Sequence, residues 1–298
     1  MSVRVNPNII PDLVAGIAQT QQQLNQADEE IASGRSINQP SDNPAGTAAL
    51  ILNHASQSQT DTFQVDVNSL QTRLQTADSA LSSAVTAINQ AISLGVQAGN
   101  SNLSDTDRQA IASQLSGIQQ QLVSIANTSY SGTYLFGGSL VETQPFTLDS
   151  ASPSGVTYNG NNSTVSVQVN NSESVATNVP GSQLFLNPSG SVLGAVQGLI
   201  TAIQNDSGIA TASTDLGTAA SIFNAQRASY DNSLTQLQSD STFLNSEQTQ
   251  LSTQENNIDA ADLAAASSTF SQASVAYQSL IEAESTVLQL PNLLTYLQ

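Results

Sequence analysis

Residues 216–258 read LGTAASIFNAQRASYDNSLTQLQSDSTFLNSEQTQLSTQENNI, and this stretch carries the longest heptad pattern in the chain. Its apolar residues recur at spacings of three, four and seven, which is typical of a helix that packs one narrow stripe against another helix. The positions are Leu216, Ala220, Phe223, Tyr230, Leu234, Leu237, Leu244, Leu251 and Ile258. A helix over 209–258 would be roughly 75 Å long at about 1.5 Å per residue. The pattern therefore predicts an elongated rod of long coiled-coil helices.

Three further heptad patterns and the placement of proline extend this prediction along the chain. An interior Pro costs a helix about 3 kcal/mol, and 45–144 and 189–290 contain none. Ser104 is the expected N-cap of one helix, with Asp105 and Asp107 in its first turn. The fold class is therefore mainly α. The three patterns are Leu13, Ile17, Leu24, Ala27 and Ile31; then Phe63, Val67, Leu70, Leu74, Ala77, Leu81, Ala84, Ile88 and Ala91; then Ile111, Leu115, Ile118, Leu122 and Ile125.

The middle of the chain has a different pattern. Residues 130–185 hold nearly half of the aromatic residues, together with the alternating run TVSVQV at 164–169. Alternation at period two places Val165, Val167 and Val169 on one face of a strand. A small β domain is therefore predicted between two helical halves.

These patterns predict three domains. Residues 1–45 and 260–298 form a terminal coiled coil in which the N- and C-terminal helices pair. Residues 46–135 and 205–259 form a core of long helices. Residues 136–204 form the inserted β-rich domain.

Composition excludes several classes of partner. The 298 residues contain 23 Asp and Glu against 5 Arg and no Lys, for a net charge of −18. Nucleic acids and anionic membranes need clustered cations, so neither is an expected partner. No apolar run approaches the roughly 20 residues that would cross a bilayer. The first eight residues do not form a secretory signal. The protein is therefore expected either to stay in the cytoplasm or to be exported without a cleaved signal peptide.

The sequence carries little catalytic chemistry. It has one His and neither Cys nor Lys, the residues that most often act as bases, nucleophiles or metal ligands. His54 is interpreted as an imidazole on the face of a helix. No phosphate-binding loop, nucleophile elbow or calcium loop occurs. We therefore predict no enzyme, no catalytic or metal-binding residues and no cofactor.

The apolar stripes at the two ends of the chain remain to be explained. The stripe from Leu13 to Ile31 is cut off by Pro40 and Pro44, and the last segment, 263–297, is also amphipathic. Two such helices gain most by pairing, and the apolar surface left over then needs a partner subunit. An antiparallel intramolecular bundle with frayed ends is the alternative.

Both ends of the chain resemble the flagellin family. Residues 4–8 read RVNPN and residues 32–46 read ASGRSINQPSDNPAG, while 259–264 read DAADLA and 291–297 read PNLLTYL. Two such blocks at opposite ends of one chain are similar to the terminal blocks of flagellins. Relative to the flagellin spacing, Ser36 is inserted and Asn43 stands in place of an Asp.

The middle segment is similar to the hook-associated branch of the same family. Residues 132–139 read GTYLFGGS, 144–146 read QPF and 158–161 read YNGN. This resemblance implies a structural subunit that joins hook to filament, outside the cell, after export by the flagellar type III apparatus. The partners that it implies are other hook-associated proteins, flagellin, copies of the chain itself in a helical tube, and an export chaperone.

The resemblance also implies which residues make the assembly contacts. Alternatives left open are a short flagellin that builds the filament itself, and a secreted acidic coiled-coil effector or adhesin. The expected interface comprises Leu13, Ile17, Leu24, Ile31, Arg35, Ile37, Asn38, Leu263, Phe270, Tyr277, Leu280, Leu293, Leu294 and Leu297.

Overall fold

The computed structural model describes residues 9–100 and 102–289, and most of them are helical. This confirms a mainly α fold, and the helix predicted over 209–258 is observed at Ile209–Asp259. Within the described ranges the helices are α1 (Ile9–Ser33), α2 (Pro44–Ala98), α3 (Asp105–Ala126), α4 (Gly181–Phe185), α5 (Val192–Gln204), α6 (Ile209–Asp259) and α7 (Leu263–Gln289).

The β structure consists of three small antiparallel hairpins between α3 and α4. The strand predicted at 164–169 is observed over Ser166–Gln168, and hydrogen bonds of Val165 and Val169 to the opposite strand extend the pairing by one residue at each end. The pairs are β1 (Ser129–Tyr130) with β2 (Thr133–Tyr134), β3 (Phe146–Leu148) with β4 (Val156–Tyr158), and β5 (Ser166–Gln168) with β6 (Ser174–Ala176).

Sequence reasoning did not predict α5. Gly194 and Gly198 lie inside it, and a helical Gly costs about 1 kcal/mol relative to Ala. Ser191 caps the helix, since its hydroxyl accepts from the amide of Gly194 at 2.9 Å. Burial of its apolar face then outweighs the glycine cost; the buried residues are Val192, Leu193, Val196, Leu199, Ile200 and Ile203.

The chain divides into two compact units. The first unit contains residues 1–59 and 248–298, and the second contains 60–247. Both boundaries fall inside helices, α2 and α6. The three-domain division based on sequence stays a prediction.

The core of the second unit is built from the predicted heptad positions. Ser104 caps α3 as predicted, because its hydroxyl accepts from the amide of Asp107 and the Asp107 side chain accepts from the Ser104 amide. The rings of Phe136, Phe146 and Phe223 each lie 5.4–5.6 Å from that of Phe185. Buried heptad residues include Val67, Leu70, Leu74, Ala77, Leu81, Ala84, Ile88, Ala91, Ile111, Leu115, Leu122, Leu216, Phe223, Leu237 and Leu244.

Tyr230 attaches the segment after β6 to α6. It is 2% exposed, its hydroxyl accepts a hydrogen bond from the amide of Val179 at 3.1 Å, and burial raises its pKa to about 12.

We expect Tyr230→Phe to lower the free energy of unfolding by about 1–3 kcal/mol, because the Val179 amide loses its acceptor. Urea unfolding measures the change. In the matched control Tyr130→Phe, where no hydrogen bond of the hydroxyl is present in the described structure, a change near zero is expected.

Candidate assembly site

The first unit is organised around the antiparallel pair α1 and α7. Gly16 lies beside Leu280 at one end, and Arg35 forms a β-bridge with Ala260 at the other. This confirms the predicted pairing of the N- and C-terminal helices. The facing positions are buried or half-buried; they are Leu13, Ile17, Thr20, Leu24 and Ala27 on α1, and Ala266, Ala273, Tyr277 and Leu280 on α7.

Three of these facing residues were missed by sequence reasoning. Thr20 is 8% exposed, and its hydroxyl donates to the carbonyl of Gly16 at 2.8 Å. The hydroxyl is therefore buried with a hydrogen-bond partner. Ala266 and Ala273 are 3% and 5% exposed. Thr20 stands three residues after Ile17, and the two alanines stand seven apart, so heptad spacing alone could have found them.

Several expected interface residues are more than a third exposed. Ile31, Phe270 and Leu263 are 38%, 37% and 51% exposed. Other apolar side chains of the two helices are exposed as well: Ile10, Val14, Val275 and Ile281. Three further expected contacts, Leu293, Leu294 and Leu297, lie outside the described residues.

The segment that follows α1 is hydrogen-bonded to the segment between α6 and α7. Gly34 ends α1 with φ of +71°, a conformation that favours glycine. The amide of Ser36 donates to the carbonyl of Asp259 at 2.6 Å, and the amide of Ala261 donates to the carbonyl of Gly34 at 3.0 Å. We call residues 34–37 and 259–261 the cross-tie.

Asp259 is the central side chain of the cross-tie. It is 3% exposed, and its carboxylate accepts from Nε of Arg35 and from the amide of Ile37, the latter at 3.0 Å. Ile37 is buried and packs over Gly46, where a side chain would collide with it. Asn38 is exposed and donates to the carbonyl of Arg35 at 3.0 Å.

The turn that follows begins α2. The side-chain oxygen of Asn43 accepts from the amide of Gly46 at 2.9 Å, which is an N-cap. Asn and Asp are about equally favourable N-caps, so the replacement of an Asp at this position leaves the turn intact.

A second carboxylate, Glu255, connects α6 to α2 and to the cross-tie. It accepts from Gln57 at 2.8 Å, lies 2.9 Å from Nε2 of His54, and lies 4.0 Å from Nη2 of Arg35. The predicted position of His54 on a helix face is thus observed. These hydrogen bonds, with that of Gln57 contributing most, hold the pKa of Glu255 below its ordinary value of 4.5.

A carboxylate with a lowered pKa stabilises the fold at pH values above its unfolded pKa, and this contribution is lost as the pH falls through the folded value. We therefore expect the natural chain to be more stable than Glu255→Gln near pH 6, and this difference in the free energy of unfolding to shrink as the pH falls below 4.5. Urea unfolding from pH 6 to pH 3 measures it. For the exposed control Glu282→Gln we expect a small difference throughout.

The described residues contain neither a candidate metal site nor a candidate membrane-spanning helix. They contain no group of three or more His, Asp or Glu side chains placed to hold a metal. In the same part of the chain, no helix is long and apolar enough to cross a membrane.

Comparison with known proteins places these features among flagellar proteins. Residues 11–140 match the bacterial flagellin N-terminal helical region. Flagellar hook-associated protein 3 of Salmonella typhimurium is 33% identical over 174 residues, which cover 58% of this chain and 53% of that protein. A flagellin of Listeria monocytogenes is 30% identical over 128 residues, covering 43% and 45%. The chain thus spans about half the length of the curated relatives that it matches.

Solved structures show the same fold. The flagellar junction protein FlgL from Legionella pneumophila superposes with a TM-score of 0.56 at 16% identity. The match covers 64% of this chain and 99% of that one.

Proposed function

We propose that this chain is a structural subunit of the flagellum that joins hook to filament. Its residues 11–140 match the bacterial flagellin N-terminal helical region, and this match supports the proposal. The observation that carries the proposal is the α1–α7 pair, which leaves apolar side chains such as Ile10, Val14, Leu263 and Val275 exposed. Burial of these side chains by neighbouring subunits would stabilise the pair.

The identity of the relatives supports the junction role over the filament role. The hook-associated relative is more similar to this chain, and over a longer stretch, than the Listeria flagellin. The flagellin match nevertheless favours one second candidate, a short flagellin that forms the filament. Both candidates use the same terminal helices.

The proposal includes the partners and the location. The expected partners are other hook-associated proteins, flagellin and copies of this chain, with a chaperone during export. The chain would act outside the cell, after export without a cleaved signal peptide. It would work as a structural subunit and not as an enzyme, because the relatives that it resembles are flagellar hook-associated proteins and flagellins.

Immunogold labelling of flagella tests the proposal. We expect a single band at the base of the filament, and loss of the filament when the gene is deleted. Label along the whole filament would favour the short flagellin. A normal flagellum in the deletion strain would contradict both candidates and favour a secreted effector or adhesin.

A further inference from the structure

The turn between β5 and β6 is held against α6 by polar side chains. The turn is closed by a hydrogen bond from the amide of Val169 to the carbonyl of Glu173 at 3.0 Å. The side-chain oxygen of Asn170 accepts from the amide of Ser172 at 2.9 Å, which leaves the NH2 group of Asn170 to face the helix. Gln236 of α6 donates to Oε1 of Glu173. The turn therefore meets the helix through one amide group and one carboxylate.

Asp240 is the carboxylate of α6 that faces this turn. Nδ2 of Asn170 lies 3.5 Å from Oδ1 of Asp240 and 3.3 Å from Oε2 of Glu173, so one NH2 group lies between two carboxylates. Hydrogen bonds to charged oxygens are usually about 2.7–2.9 Å long, so neither contact is close. The two carboxylates are within two hydrogen-bond lengths of each other, and they repel when both are ionised.

The rest of the Asp240 side chain is closed to water. The residue is 7% exposed, and its Oδ2 is buried without a hydrogen-bond partner. Burying an ionised oxygen without a partner is less favourable than burying a neutral one. Burial, and then the charge of Glu173, raises the pKa of Asp240 above its ordinary value of 3.8, while the hydrogen bond of Asn170 acts more weakly in the opposite sense. The neutral acid is therefore the form that suits the closed turn.

The other charged groups of the two helices do not favour ionisation of Asp240. α2 runs beside this part of α6, because Gln64 donates to Oγ of Ser241 at 3.0 Å. None of the ion pairs between described residues includes Asp240 or Glu173. The cations of these helices lie further along them: Arg73, nine positions from Gln64, and Arg227, thirteen positions from Asp240. The titratable groups closest in sequence are all acidic; they are Asp61 and Asp66 on α2, and Asp231 and Glu247 on α6.

We propose that this contact is a proton-operated latch, which holds the β5–β6 turn on α6 when Asp240 is neutral and loosens when Asp240 is ionised. A neutral Asp240 removes the repulsion between the two carboxylates, and its buried Oδ2 then carries no charge. When Asp240 loses its proton, the repulsion from Glu173 and the burial of a charge both act against the closed turn. The latch involves residues of the second unit alone, so it does not depend on the proposed role in the flagellum.

The latch should tighten as the pH falls. The closed turn binds the proton of Asp240 more tightly than the open turn, in which the pKa returns toward 3.8. The stabilisation of the closed turn is therefore complete below pH 3.8, and it is lost as the pH rises through the higher pKa of the folded chain. This direction is opposite to that expected for Glu255, whose pKa is lowered.

Hydrogen exchange on the full chain tests the latch. Protection factors, from which the intrinsic pH dependence of exchange is removed, are measured from pH 7 to pH 4.5 at the amides of Val169 and Thr177, which join the two strands. The amides of α3 provide the reference for the stability of the whole unit. Relative to this reference, we expect protection in the natural chain to rise about twofold or more as the pH falls. In Asp240→Asn, whose amide copies the neutral acid, protection should already be high at pH 7 and should not change with pH.

General loss of negative charge on acidification is controlled by Asp215→Asn, which removes an exposed carboxylate from the same helix. This variant should show the same rise in protection as the natural chain. Glu173→Gln removes the neighbouring charge but leaves Asp240 buried, so its rise should be smaller; because Glu173 is exposed, this variant keeps the test valid should Asp240→Asn perturb folding. The latch is refuted if protection in the natural chain stays constant or falls relative to α3, or if Asp240→Asn shows the same rise as the control.

Discussion

We expect the deletion of residues 263–298 to leave the second unit folded and to abolish assembly. The deletion removes α7, against which α1 packs, while the second unit keeps all of its own residues, 60–247. Leu13, Ile17 and Leu24 then lose their cover, and a half-buried Leu or Ile contributes about 1 kcal/mol. Without a partner α1 cannot present a defined surface to a neighbouring subunit. Circular dichroism checks the fold, and sedimentation with purified flagellin checks assembly, which should fall below detection.

A matched pair of point variants separates loss of the helix pair from loss of chain length. Ala273 faces α1 and is 5% exposed, whereas Ala276 lies three residues further along α7 and is exposed. Ala273→Glu buries a charge between the helices and should prevent assembly. Ala276→Glu adds the same charge at an exposed position of α7 outside the α1–α7 contact, and should leave the pair and its assembly intact. Equal assembly by both variants would contradict a role for the α1–α7 contact.

Asp259→Asn should be the most damaging single substitution in the cross-tie. Its carboxylate accepts from Arg35 and Ile37, and an Asn must turn an NH2 group toward one of these donors. Hydrogen bonds to charged groups contribute about 1.5–3 kcal/mol. Because Arg35 is half-exposed, we expect the free energy of opening of the cross-tie to fall by about 2 kcal/mol. The amides of Ser36, Ile37 and Ala261 should then exchange about 30-fold faster, since 1.4 kcal/mol is a factor of about ten.

Asp262→Asn is the control for this substitution. Asp262 stands three residues away and caps α7, since its carboxylate accepts from the amides of Ala264 and Ala265 at 3.0 Å. Asn is about as good an N-cap as Asp, so we expect little change. If Asp262→Asn accelerates exchange as much as Asp259→Asn does, the cross-tie has no special role.

The helices were predictable because heptad spacing is a local property of the sequence. The predicted helix over 209–258 differs from the observed α6 by one residue at its end. Thr20 was missed because it is polar, and Ala266 and Ala273 were missed because the last segment was described by its large apolar residues alone. The helix α5 was missed because its glycines lower its intrinsic helix propensity.

The cross-tie could not be predicted from local patterns. Arg35 and Asp259 are 224 positions apart in the chain, and each is an ordinary charged residue in its own segment. Their pairing follows from where the two helical arms break, which only the folded chain shows. The same holds for Tyr230, whose heptad position was predicted but whose bond to Val179 was not.

The cross-tie also fixes the register in which α1 packs on α7. A slip of the pair by one heptad would move the helices by about 10 Å at 1.5 Å per residue, and the seam alone, with its repeated small and aliphatic residues, resists such a slip weakly. The hydrogen bonds of Ser36 and Ala261 have no equivalent partners one heptad away, because each break occurs once in its arm. Every copy of the chain would therefore expose the same apolar side chains at the same axial position along the α1–α7 pair.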